Sequence, residues 1–173
     1  MRLMHVTKPD CVLSIIRTGI KIGLNLPPEL IEYAQSKLEY AYFSAVNGLS
    51  FKDIELTDAI IYGRGGEYQF LLNRDWVKVH TSQFRERAGG RSSPNFWDFV
   101  REYGIREEPA AMDEDDVYGN QIVSLDNIPV EGIEALLVRT HNPSSGFVVD
   151  LKNALPKNMQ LYIGNEEQTI KIK

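Results

Sequence analysis

The chain has 173 residues, 43% of them apolar and 25% charged, with a formal net charge of −5. This suits one globular domain, residues 1–173, with a core of its own, and it excludes a broad non-specific nucleic-acid surface while leaving room for a local basic patch. A lone Cys11 and scattered His5, His80 and His141 exclude an internal disulfide and give no metal-ligand spacing. With no apolar h-region near the start and no run of about 18 apolar residues, the expected setting is the reducing cytoplasm, with no membrane and no metal.

The pattern opens as strand, turn and helix. Leu3 to Thr7 is short and mostly apolar. Pro9 suits a first helical position, and Asp10 suits a helix N-terminus. Val12, Leu13, Ile15 and Ile16 make one apolar face, and Gly19 offers a left-handed cap. Ile20 and Ile22 continue as an extended piece. A second helix is expected from Pro27 to about Leu38. Tyr40 to Ser44, Ala59 to Tyr62 and Tyr68 to Leu72 read as strands, with Gly63-Arg64-Gly65-Gly66 as a turn between the last two.

The middle is less regular. Val79 to Arg87 reads as a short helix. Pro94 begins a helix carrying Phe96, Trp97, Phe99, Val100 and Tyr103, and Glu107 to Asp116 reads as a solvated acidic loop. After it, Ile122–Leu125, Ala135–Val138, Gly146–Val149, Met159–Ile163 and Thr169–Ile172 all read as strands, with Gly164-Asn165 as a hairpin turn. A mixed front half before a β-rich back half indicates α+β rather than alternating βαβ units.

Three of these features, in this order, resemble the ADP-ribosyltransferase superfamily. Leu3-Met4-His5-Val6-Thr7, followed by a helix and Thr18-Gly19-Ile20, is similar to the family's opening strand and the segment after it. Tyr42-Phe43-Ser44 is similar to its Tyr-Phe strand. Gln121 to Val138, with Ile128-Pro129 and Ile133 inside it, is similar to its late segment, where a catalytic strand leads to Ile-Pro and a further strand. The details resemble the DarT-type DNA ADP-ribosyltransferases and the RNA 2′-phosphotransferases most. The resemblance implies two packed mixed or antiparallel sheets around an NAD cleft, with short flanking helices.

It also implies a chemistry. Breaking the nicotinamide–ribose bond of NAD passes through a cation-like ribose. That requires hydrogen bonds on the ribose, an aromatic face against nicotinamide and an anion beside the developing charge. By resemblance, His5 bonds a ribose hydroxyl; as a bare residue it reads equally as a structural strand-end histidine. Thr7 bonds the same ligand or caps the following helix. Tyr42 flanks nicotinamide or belongs to the core, and Ser44 matches a small polar residue of toxin-like members. Arg64, at the tip of a turn that reads first as a strand connection, is a candidate phosphate contact.

Gln121 falls where the DarT-type pattern carries its catalytic glutamate. Glutamine can accept a hydrogen bond but supplies neither charge nor a base. A nearby acid (Asp115, Asp116 or Glu67) serves instead, or the glutamate is not needed, or the site binds without turnover. Glu131 and Glu134 read as solvated. The basic stretch Arg74, Lys78, His80, Arg85, Arg87 and Arg91, with Trp76, Phe84 and Trp97, reads first as solvated surface and second as a phosphate or nucleic-acid contact. The resulting expectation is an NAD-dependent ADP-ribosyltransferase acting on a nucleic acid or a protein. The alternatives are an inactive nucleotide- or protein-binding module and, less favoured, a 2′-phosphotransferase-like enzyme.

Overall fold

Alternating and fully buried apolar runs set the strands, and amphipathic runs set the helices laid on them. The structure, a computed structural model, describes residues 1–7, 9–22, 41–46, 68–87, 96–108, 121–140, 145–164 and 169–173. In chain order these form β1 (Arg2–Thr7), α1 (Pro9–Thr18), β2 (Ala41–Val46), β3 (Tyr68–Leu72), α2 (Arg74–Val79), β4 (Phe84–Arg87), α3 (Phe96–Tyr103), β5 (Arg106–Glu108), β6 (Gln121–Ser124), β7 (Ile133–Arg139), α4 (Gly146–Ala154), β8 (Gln160–Gly164) and β9 (Thr169–Lys171). The expected helix near 27–38 and strand at 59–62 lie outside the described residues.

The described strands form one sheet in the order β5-β4-β6-β2-β1-β3-β7-β8-β9. The expected pair of packed sheets is thus a single hydrogen-bonded array. Its two halves are joined because β2 is shared lengthwise: Ala41–Phe43 pair with β6, while Ser44–Val46 pair with β1. Most neighbours are antiparallel, but β4 runs parallel to β5 and β7 parallel to β8. Each parallel pair is linked through a helix, α3 or α4, so the fold is mixed α/β with two βαβ units rather than the α+β order expected from sequence.

Three local expectations are corrected by the same packing. Gly146–Val149 opens α4, not a strand: Ser145 caps it by accepting from the Val148 amide at 3.3 Å, and Val148 and Leu151 turn inward one helical turn apart. Val79–Arg87 is not a helix. Helix α2 ends at Val79, Thr81–Gln83 make a 3-10 turn, and Phe84 enters a strand opposite Ser124 with its ring in the core. Glu107 and Glu108 belong to strand β5. The hairpin expected at Gly164-Asn165 is present as the antiparallel β8–β9 pair, with Gly164 ending β8 opposite Thr169 and the connecting residues outside the described ones.

Helix α1 buries Val12, Ile15 and Ile16, whereas Leu13 is 40% exposed. One apolar cluster joins these to Leu3, Phe43, Phe70, Phe84, Ile122, Leu136 and Leu161, spanning both flanks of the sheet. A smaller cluster of Met4, Val46, Leu71, Ala135 and Leu137 lies on the other strand parity. The register also fixes direction. β1, β6, β7 and β8 all run the same way, so their C-terminal ends share one edge of the sheet, and α1 and α4 begin there.

Candidate functional site

The candidate site residues gather where the two halves of the sheet part. β1 pairs with β2 only through Arg2, Leu3 and Met4. Further along, His5, Val6 and Thr7 pair with Phe70, Gln69 and Tyr68 of β3, while Ala41–Phe43 pair with β6. His5 sits at this parting. Its neighbours Phe43 and Phe70 are buried core residues, yet His5 is only half-buried. Its ring lies 5.6 Å from that of Phe43 at 49°. Thr7 and Ser44 are half-buried as well.

The first and third of the resembling segments, distant in sequence, meet in space. Gly19 adopts φ 81°, and its amide donates to the Ile15 carbonyl at 2.9 Å. Ile20 and Ile128 then exchange two backbone hydrogen bonds of 2.9 Å each, and the Ile22 amide donates to Asn127 Oδ1 at 2.9 Å. The approach is so close that a Cβ on Gly19 would stand 2.0 Å from the Ile128 carbonyl oxygen. From the far side, buried Ser124 donates through Oγ to the Asp126 carbonyl at 2.7 Å and accepts from Gln83 Nε2 at 3.0 Å. Gly132 lies against the Trp76 ring, and its carbonyl accepts from the Asn73 amide at 2.8 Å. These ties form a clasp between the segment that follows α1 and the segment that follows β6. Gln83, Ser124 and Asn127 were not singled out from sequence. The turn-forming run Ser124-Leu125-Asp126-Asn127 was their available signal.

The register separates the other candidates. Tyr42 pairs with Val123, and Gln121 pairs with Arg87. Continuing the β2–β6 register by one residue sets Ser44 level with Gln121. Positions 42, 44 and 121 therefore share one strand parity, and His5 and Thr7 take the other. The side chains of Tyr42 and Gln121, together with Arg64, Glu67, Asp115 and Asp116, lie outside the described residues. Glu131 is exposed, and Glu134 pairs with Arg2 at 3.1 Å.

Among its described residues the basic stretch is largely tied into the fold, with Lys78 exposed; Arg91 and the side chains of Arg87 and Trp97 lie outside the described residues. Phe84 is fully buried, and the Trp76 ring stacks on His80 at 4.1 Å. Arg85 donates to the Ser82 and Phe84 carbonyls at 2.6 and 2.7 Å. Arg74 pairs with Glu102 at 2.6 Å, and Glu102 also meets the Met1 amine at 3.3 Å. The Arg74 hydrogen bond is the main reason that the Glu102 carboxyl lies below its ordinary pKa, with the amine adding to it. Burial pushes the neighbouring Tyr103 phenol up, and its hydroxyl donates to the Met1 carbonyl at 2.9 Å. This cluster fixes the end of β1 away from His5.

No protein-family profile and no curated protein sequence matches the chain. In fold it is similar to Thermosipho africanus DarTG in complex with ADP-ribose, with a TM-score of 0.52 and 14% identity over 95% of this chain and 49% of that one. The chain thus spans about half the length of that solved protein. The class defined is a mixed α/β fold similar to that of DarTG. No described helix is long and apolar enough to cross a membrane.

Proposed function

We propose that the chain uses NAD to transfer ADP-ribose to a macromolecule, a nucleic acid or a protein, at the edge where β1 and β2 part. The observation carrying this reading is His5: a half-buried imidazole between two buried phenylalanines, at the residue where the β1–β2 ladder has stopped. The ADP-ribose held by DarTG, which has a similar fold, supports the ligand class.

NAD, when bound, supplies an ADP-ribosyl group whose cationic nicotinamide is ready to leave. His5 hydrogen-bonds a hydroxyl of the nicotinamide ribose, with Thr7 two residues along the same strand parity as its second polar partner. Ser44 and Tyr42 hold the nicotinamide side, and Arg64 meets a phosphate. Because His5 and position 42 differ in parity, a ligand touching both lies across the parted strand edges rather than flat on one sheet face. Gln121 orients a ribose hydroxyl as a neutral acceptor and adds no charge.

That neutrality favours a second reading, a module that binds the nucleotide without turning it over. Incubating the pure protein with labelled NAD, DNA, RNA and a protein lysate separates the two. The transferase reading expects label on one macromolecule and its loss in His5→Ala. NAD binding without transfer or hydrolysis, with turnover gained in Gln121→Glu, supports the module. A wild-type protein that neither binds nor consumes NAD overturns both.

A further inference from the structure

We propose that Tyr68 and Phe147 form an aromatic wall that stacks a purine ring, the adenine of the ADP-ribose unit, at the sheet edge where α1 and α4 begin. The proposal rests on the nucleotide reading above. Tyr68 is the strand partner of Thr7 and shares its parity, and therefore that of His5. Tyr68 lies two residues along and one strand across from His5, about 8 Å between Cα atoms by ordinary strand spacings. A diphosphate joining two riboses covers that distance. On the same side, the Phe147 ring meets Tyr68 edge to face, with centroids 5.6 Å apart and planes at 77°. Phe147 is the second residue of α4 and 39% exposed. A Cβ added at the preceding Gly146 would meet nothing within 4 Å among the described residues.

An edge-to-face pair with one exposed ring presents the π surface on which a flat base packs. The adenine is favoured over a base of the target because the wall shares the parity of His5, the residue proposed to hold the far ribose. Positions 42, 44 and 121 have the opposite parity.

The test compares Phe147→Ala and Phe147→Trp with wild type by calorimetry, using ADP-ribose, nicotinamide mononucleotide (which lacks adenine) and a short single-stranded DNA. Phe147→Ala should weaken ADP-ribose about tenfold, within the usual range for base–aromatic stacking. It should leave nicotinamide mononucleotide unchanged, and Phe147→Trp should restore affinity. Unchanged ADP-ribose binding in Phe147→Ala overturns the wall and leaves the nucleotide reading standing. Equal loss of both small ligands overturns it as an adenine subsite, as does a loss confined to DNA. A wild-type protein that binds neither small ligand overturns both the wall and the reading on which it rests.

Discussion

The two flanks of the sheet contain the same device, a parallel βαβ unit, but they build it from different material. In β7, Ala135, Leu136, Leu137 and Val138 are buried in succession, and β7 pairs with five residues of β8. That is the pattern of a strand covered on both faces. On the other flank, β4 and β5 pair only through Arg85-Glu86-Arg87 and Arg106-Glu107-Glu108. A short, charged strand at a sheet margin is the usual guard against edge-to-edge association. Strength is thus concentrated on the β7–β8 side, and the candidate nucleotide edge draws His5, Thr7 and Tyr68 from the strands nearest to it. The charged flank reaches the candidate site through β6 and the clasp at Ile128, through the Phe84 ring against that of Phe43, and through Glu102 and Tyr103 of α3 at Met1.

Substitutions can break or sharpen this contrast. The largest effects are expected in the shared core: Phe84→Ala on the charged flank and Leu136→Ala on the apolar flank should each cost about 3 kcal/mol or more in urea unfolding. Because one apolar cluster joins the flanks, both variants should still unfold in a single transition. Two separated transitions would mean that the halves are independent. Gly19→Ala comes next. Its φ of 81° and the 2.0 Å approach to Ile128 O should cost about 2 kcal/mol, read as a lower denaturation midpoint. An unchanged midpoint would contradict the clasp.

The smallest effect belongs to Glu102→Gln. Its folded pKa is depressed, so its contribution is present above the ordinary carboxylate range and is lost as pH falls through the lowered value. The pair is partly exposed, so the loss should stay below about 1 kcal/mol. Wild type and Glu102→Gln should therefore differ at neutral pH and converge in acid. A gap that persists at low pH would contradict an ionic origin.

The contrast between flanks also explains what could be read in advance. Tyr68–Leu72 and the strand around Ala135–Val138 were legible because hydrophobic burial writes them directly into the sequence. The Phe84–Arg87 strand was not, since one buried Phe84 among charges carries little periodic signal, and its pairing with β6 is a long-range fact. Gly146–Val149 was misread because Phe147, Val148 and Val149 favour strands locally, while the Ser145 cap and the spacing of Val148 from Leu151 won the helix. Around the candidate site, the strand carrying His5 and the Gly19 cap were legible as local motifs. The pairing of Ile20 with Ile128 was not, because no local pattern encodes contacts 108 residues apart. Nor was the opposite parity of His5 and position 42, which depends on the register that sets Met4 opposite Ser44.

The most direct measurement is calorimetric titration of ADP-ribose into wild type and His5→Ala, with thermal unfolding of both as a control. The expected result is saturable binding by wild type, weakened about tenfold or more in His5→Ala at an unchanged melting temperature, as follows from losing a ligand hydrogen bond at a half-exposed residue. Binding that is equal in the two proteins, or absent from the folded wild type, would contradict a nucleotide site at the parting of β1 and β2.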